Sequence, residues 1–244
     1  TKAIIVVHHF GHAAHMDEIM ELGKKYNLKI IEDNAESIGA TYKGKLLGTF
    51  GDVSTYSFFG NKIMTTGEGG AVLTNDKNTA IKCRELRDHG MSHKQKYHHV
   101  DLGYNYRMTN IQAAIGLAQM EKLGEILALR KKQMDYYYNT LANVDGVILR
   151  KYADWCDPVH WMMTLTLDDK YDRDTFLDYM KNDGIDCRQM INPVHHADHF
   201  NAQFREDVFF NSVNISKQSV HLPSGLGLTE KEISTISNTI KDYL

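Results

Sequence analysis

The first 33 residues carry the pattern that most restricts the fold. A β-branched run at Ala3–Val7 predicts a buried strand, apolar residues then recur at helical spacing over residues 16–23, and a second apolar run follows at residues 28–32. Strand, helix and strand within about 30 residues predict a right-handed unit with parallel strands. Asp33 then lies at the carboxyl end of its strand, where open α/β sheets place their ligands.

Composition and charge exclude several classes of protein. The 244 residues are 42% hydrophobic and 24% charged, which is ordinary for a globular protein. With 28 basic and 31 acidic residues the net charge is −3, and the basic residues form no stripe, so neither nucleic acid nor an anionic membrane is expected as a partner. No apolar run approaches the ~20 residues of a membrane span. Three widely spaced cysteines argue against a disulfide framework and predict a reducing, cytoplasmic setting: Cys83, Cys156 and Cys187.

Further elements follow along the chain and change in character near residue 145. Residues 40–45 predict a short hairpin, residues 53–59 and 71–74 predict strands, and residues 76–89 predict a helix that ends at Gly90. Residues 91–106 show no period and predict a loop. A capping box at Thr109–Gln112 opens one long helix that is predicted to run to about residue 141.

Residues 146–244 predict a separate, small α+β domain. A strand is predicted over 161–167, and Trp161 is expected in the core. A helix begins near Asp172 and stops before Gly184, and a short strand follows at 219–222. A second capping box at Thr229–Glu232 begins the last helix. The domains are therefore expected at residues 1–145 and 146–244.

Lys62 and Asp33 suggest a specific chemistry. Lys62 follows a predicted strand and precedes the glycine-rich turn at residues 67–70, so its amine could form a Schiff base with a carbonyl compound. A lysine together with an acid at a strand end is the pair that holds the aldehyde and the ring nitrogen of pyridoxal phosphate (PLP). Taken alone, each residue has a plainer explanation, because most loop lysines are solvated and most such aspartates cap turns or helices.

Three segments together resemble the DegT/DnrJ/EryC1/StrS family of sugar aminotransferases. They are residues 30–40 with Glu-Asp-Asn-Ala-Glu, residues 57–70 with Phe-Gly-Asn-Lys and Thr-Thr-Gly-Glu-Gly-Gly, and residues 103–109 with Tyr-Asn-Tyr-Arg-Met-Thr. The likeness extends along the whole chain and is strongest to the perosamine synthase group. It implies an α/β large domain of PLP fold type I, like that of aspartate aminotransferase, at residues 1–145. The family's large domain normally begins further upstream, so an N-terminally incomplete domain is expected.

The resemblance assigns a role to each matching residue. Lys62 matches the Schiff-base lysine and proton carrier, and Asp33 matches the acid that binds the pyridinium nitrogen. Ser57 matches a hydroxyl that binds the cofactor phosphate, and Glu36 stands beside the ring. The remaining matches are Asn105, which reaches the phosphate in the neighbouring subunit of a homodimer with shared sites, and Arg107, a candidate for substrate anions.

The implied function is PLP-dependent amination of a nucleotide-linked 4-keto-6-deoxyhexose, with L-glutamate as amino donor, in polysaccharide or O-antigen biosynthesis. A lysine at position 62 argues against the family's dehydratase branch, in which histidine replaces it. The alternative is a truncated or degenerate, non-catalytic member that acts only in binding or oligomerisation. The histidines at 8, 12 and 15 and at 195, 196 and 199 lack a strong metal-site signature, so no metal is expected.

Overall fold

The computed structural model describes residues 1–200 and 209–244, and these form two compact units. The first unit comprises Thr1–Leu127 and Tyr152–Trp161, and the second comprises Ala128–Lys151 and Met162–Leu244. The boundary expected between residues 145 and 146 stays a prediction about the domains. Within the described residues no helix has the length and hydropathy needed to cross a membrane.

A four-stranded sheet organises the first unit, with the strand order β1-β2-β5-β6. The strands β1, β2 and β5 are parallel, and β6 runs antiparallel to β5. The predicted strand-helix-strand unit is confirmed, and Asn27 ends α1 in the left-handed conformation that a helix C-terminus favours. The elements are β1 (Ala3–Val7), α1 (Met16–Tyr26), β2 (Lys29–Asp33), β5 (Val53–Ser57), β6 (Gly70–Leu73) and α2 (Lys77–Arg87).

A small antiparallel sheet completes the strands of the first unit. The predicted hairpin forms β3 (Thr41–Tyr42) and β4 (Lys45–Leu46), and β3 also pairs with β8 (Cys156–Asp157). This pairing brings a distant part of the chain back to the first unit. Trp161 follows that returning strand and is only 4% exposed, which confirms that it is buried.

The prediction of one long helix after Thr109 is wrong. The capping box is present, but α3 (Asn110–Met120) ends and α4 (Leu123–Leu141) begins after a short break. The Lys122 N–H donates to the carbonyl of Gln119, three residues earlier, so the last turn tightens instead of continuing the helix.

Several apolar side chains of α3 are exposed in this chain. Ile111 is 76% exposed and Leu117 is 63% exposed, and the neighbouring loop also presents Leu102 and Tyr106 to solvent. Gly116 is the buried residue of α3, where it lies against Thr66. Together, α3 and this loop expose more apolar side chains than the single, scattered ones that are usual on a protein surface.

The second unit encloses the main apolar core. Its sheet has the order β10-β11-β9-β7, and every neighbouring pair is antiparallel. The core contains Tyr137 and Phe176, and burial raises the pKa of the Tyr137 hydroxyl. The elements are β7 (Val147–Leu149), β9 (Met163–Leu167), α5 (Arg173–Asn182), β10 (Arg188–Gln189), α6 (Phe210–Gln218), β11 (Ser219–Leu222) and α7 (Glu230–Tyr243).

Candidate active site

Lys62 lies in the loop between β5 and β6, beyond the carboxyl end of the parallel strands. Its side chain is 14% exposed. The Nζ atom lies 3.6 Å from Oε1 of Glu36 and 3.8 Å from the centroid of the Trp161 ring. An amine is therefore held between a carboxylate and an indole face at the edge of the sheet where open α/β folds bind ligands.

Glu36 is held by two groups from the segment after β1. The N–H of Phe10 donates to Oε2 at 2.7 Å, and Nδ1 of His9 lies 3.2 Å from the same oxygen. Burial acts to raise the pKa of Glu36, but the contacts with His9, the Phe10 N–H and the nearby Lys62 outweigh it and lower this pKa below its ordinary value. Glu36 is therefore a carboxylate at neutral pH and attracts the Lys62 ammonium.

Neutralising Glu36 is expected to weaken the fold in a pH-dependent way. Glu36→Gln should lower the free energy of unfolding of the full-length protein by about 1–3 kcal/mol at pH 7, because hydrogen bonds to a charged group are lost. Since the pKa of Glu36 is lowered on folding, its stabilisation is present above the ordinary carboxyl pKa of about 4.3 and disappears as the pH falls through the lower folded value.

Urea unfolding of wild type and variant at several pH values measures this difference. The exposed Glu21 provides the matched control, and Glu21→Gln should change stability by less than about 0.5 kcal/mol. A wild-type advantage over Glu36→Gln that grew as the pH fell would contradict the assignment.

Asp33 ends β2 with one carboxylate oxygen engaged and one open. The N–H of Ala35 donates to Oδ1 at 3.0 Å, and the Thr55 hydroxyl lies 3.5 Å from the same atom. Oδ2 accepts no hydrogen bond from the described residues. An acceptor left open at the sheet edge fits the protonated ring nitrogen of a pyridine cofactor.

Asn105 and Arg107 lie together on an exposed segment after α2. Asn105 pairs with Asp88 in an isolated antiparallel β-bridge. Nη1 of Arg107 lies 3.4 Å from Oδ1 of Asp88. Neither side chain contacts Lys62 or Glu36 in this chain. The segment between β5 and β6 that contains Lys62, residues 58–69, is called the lysine loop here. Ser57 immediately precedes it, and its Oγ accepts a hydrogen bond from the Phe59 N–H at 3.3 Å. The roles expected for these three residues stay predictions.

The lysine loop is held from one side by α3. Gln119 accepts a hydrogen bond from the Thr65 N–H at 2.8 Å, and Gln112 donates to the carbonyl of Glu68 at 3.1 Å. Thr65 also donates to the carbonyl of Phe58 at 3.0 Å. Two glutamines of α3 therefore fix the chain that follows Lys62.

Sequence reasoning missed a buried pair beneath the site. His8 and Glu32 are fully buried, and Nε2 of His8 lies 3.2 Å from Glu32. Nδ1 of His8 accepts from the Ala14 N–H, so the ring proton is on Nε2 and points at the carboxylate. Glu32 is also bound by three backbone N–H groups, from Gly48, Phe50 and Gly51, each at 2.7 Å. The inward position of Glu32 in the strand alternation was the available signal.

The turn that presents Phe10 to Glu36 depends on Gly11. Phe10 and Gly11 have positive φ values of 52° and 75°. A Cβ at Gly11 would overlap the carbonyl oxygen of Val159. Backbone conformation and space therefore both require glycine here.

Substituting Gly11 tests this turn against a matched glycine. Gly44 has a similar φ of +79° but has no atom within 4 Å of a built Cβ. Gly44→Ala should cost about 1–2 kcal/mol from backbone strain alone. Gly11→Ala should cost roughly 3 kcal/mol or more, because overpacking adds to the strain. Urea unfolding midpoints of the full-length variants measure both, and equal losses would show that the Val159 contact does not matter.

The histidine clusters do not form metal sites in the described parts of the chain. His8 follows β1 and His15 immediately precedes α1, so the histidines at 8, 12 and 15 do not share a helical face. Across residues 1–200 and 209–244, no three His, Cys, Asp or Glu side chains are grouped so that they could hold a metal ion.

Comparison with known proteins places the chain. A family model described as the DegT/DnrJ/EryC1/StrS aminotransferase family matches residues 1–241. The chain belongs to this family. A GDP-perosamine synthase of Caulobacter vibrioides is 41% identical to this chain over 247 residues, and one of Escherichia coli O157:H7 is 36% identical over 243 residues. Both alignments cover 100% of the chain and 66% of the relative, so the chain spans about two thirds of their length.

A solved structure confirms the fold. S. venezuelae DesV, described as a complex with a ketimine intermediate, superposes with a TM-score of 0.91 at 30% sequence identity. The likeness covers 100% of this DegT/DnrJ/EryC1/StrS chain and 65% of DesV. The predicted class, a partial α/β domain of PLP fold type I, is therefore confirmed.

Proposed function

We propose that the protein is a PLP-dependent aminotransferase that converts the keto group of a nucleotide-linked 4-keto-6-deoxyhexose into an amine. The observation that carries this proposal is the Lys62 amine, held 3.6 Å from Glu36 and 3.8 Å from the Trp161 ring at the carboxyl edge of the sheet. The family is PLP-dependent, and the related GDP-perosamine synthases support a nucleotide-sugar product. Their name makes GDP the nucleotide to test first.

The residues present fit the cofactor. Lys62 would hold its aldehyde, and the open oxygen of Asp33 would accept a hydrogen bond from its ring nitrogen. Ser57, with Asn105 of a second subunit, would bind the phosphate, and Glu36 would lie beside the ring. The cofactor supplies an electron sink for the carbon that loses a proton.

Proton transfer falls to Lys62. In its neutral form, the Nζ of Lys62 would be the base that takes the proton from the substrate carbon. Glu36 keeps this amine near its position, because Phe10 and His9 fix the carboxylate from the other side. The low exposure of the Lys62 side chain limits the access of water to its Nζ, so water competes less for the proton.

Substrate, donor and assembly follow from the same proposal. Arg107 is exposed and can take up a substrate anion, and L-glutamate is the proposed amino donor. The exposed apolar surface of α3 and the loop containing Leu102 supports a homodimer in which Asn105 enters the partner's site. Three free thiols support a cytoplasmic location. Neither the described residues nor the relatives favour the non-catalytic alternative.

An isotope-transfer assay tests the function. Full-length protein is incubated with PLP, L-glutamate labelled at its nitrogen, and GDP-, dTDP- or UDP-linked 4-keto-6-deoxyhexoses. Labelled nitrogen is expected in the nucleotide sugar, with the GDP-linked substrate reacting fastest. Protein that carries attached PLP but transfers no nitrogen to any of these sugars would reject the proposal.

A further inference from the structure

Trp161 contacts Lys62 in two ways. Its Nε1–H donates to the carbonyl of Asn61, the residue before Lys62, at 2.8 Å. Its ring face lies 3.8 Å from the Lys62 Nζ, measured to the ring centroid. The indole is 4% exposed, so both contacts are made largely out of water. A cation over a desolvated indole face is among the stronger cation–π arrangements.

Phe10 connects Trp161 to the other partner of Lys62. The rings of Phe10 and Trp161 stack with centroids 5.5 Å apart and planes 24° apart. The N–H of Phe10 holds Glu36, whose other oxygen faces the Lys62 amine. The two groups that flank Nζ are thus fixed to each other as well as to the lysine.

We infer that Trp161 is a positioning residue for Lys62, holding the amine where it captures the cofactor and returns to it after each turnover. The hydrogen bond to Asn61 fixes the plane of the indole, and the face so presented restricts where Nζ can go. A residue that merely filled the core would need neither contact. The catalytic meaning of this inference rests on the proposed function.

Capture of PLP by cofactor-free, full-length protein tests the role without turnover. In this reaction the Lys62 amine condenses with the aldehyde and one water leaves, which is followed by absorbance. Trp161→Leu removes the ring and the hydrogen bond and should slow capture about tenfold. Trp161→Phe keeps an aromatic ring that attracts a cation more weakly and should slow capture about threefold. Trp155→Phe changes the other tryptophan and should stay within about twofold of wild type.

Steady-state kinetics supply a second readout. With Trp161→Phe, kcat should fall about threefold while KM for each substrate changes less than about twofold, because the lysine and not the substrate is misplaced. Capture by Trp161→Leu at the wild-type rate would overturn the inference. So would equal slowing in Trp155→Phe, which would indicate a general loss of packing. If Trp161→Leu does not fold, the Trp161→Phe rates decide alone.

Fluorescence separates this inference from the proposed function. This chain has 2 tryptophans, so the Trp155→Phe variant removes its other tryptophan, and Trp161 is followed as a change in emission against that background. In that variant without cofactor, Lys62→Met should shift the Trp161 emission, because it removes the charge from the ring face, whereas Lys43→Met should leave it unchanged. A wild-type protein that captures no PLP would refute the function and leave this contact testable, and an unchanged emission in Lys62→Met would refute the contact.

Discussion

Replacing Lys62 with alanine in the full-length protein is expected to lower kcat for sugar amination by at least about a thousandfold. Both proposed tasks of this residue, holding the cofactor aldehyde and carrying the proton, require a primary amine in this place. The variant should also lose the visible absorbance of covalently attached PLP. Turnover with the nucleotide-linked 4-keto sugar and absorbance spectra of the same preparations measure the two losses.

The informative control is Lys62→Arg. Arginine keeps a positive charge beside Glu36 and Trp161, but its guanidinium does not deprotonate near neutral pH and cannot do either task. Lys62→Arg should therefore be as inactive as Lys62→Ala, while the exposed Lys43→Ala variant should keep turnover within about twofold of wild type. Substantial amination by either Lys62 variant would remove the lysine from the mechanism.

Glu32→Gln is expected to cost about 3 kcal/mol or more of folding free energy, because a fully buried carboxylate that accepts several hydrogen bonds is replaced by an amide. The carboxylate is fully buried and receives hydrogen bonds from His8 and from three backbone N–H groups of the turn at residues 48–51. Glutamine would place an NH₂ group, a donor, against one or more of these donors. Denaturant unfolding of the full-length protein at pH 7 measures the cost.

The pH dependence of this loss has a definite sign. Burial acts to raise the pKa of Glu32, but the hydrogen bonds from His8 and the backbone lower it overall. The stabilisation is fully present above the ordinary carboxyl pKa of about 4.3 and is lost as the pH falls through the lower folded value. Glu18→Gln, at a carboxylate 76% exposed, should be nearly neutral. A Glu32→Gln variant as stable as Glu18→Gln would show that this pair is not essential to the fold.

Local sequence signals predicted the elements that depend on local physics. Period and β-branching placed β1, α1 and β2, and the capping residues Thr109 and Thr229 begin their helices as predicted. Asp33 was placed at the end of its strand for the same reason. These features need only the backbone and neighbours within a few residues.

Features that depend on distant residues were not predictable in this way. Trp161 looked like a core residue, because nothing in its neighbourhood indicates a lysine 99 positions earlier. The partners of Glu32 lie in a turn formed later in the chain, which no pattern around residue 32 indicates. The break between α3 and α4 depends on one tightened turn, which apolar periodicity does not record.

The hydrogen bonds between α3 and the lysine loop have a thermodynamic consequence. Gln112 and Gln119 tie the apolar helix face to the segment that follows Lys62. In the proposed homodimer, a second subunit that ordered this face would also order the loop, so cofactor affinity and subunit association would be linked equilibria with one coupling free energy. Dilution should then weaken PLP retention, and added PLP should shift the association curve by the same factor. A Gln119→Ala variant should reduce both effects together.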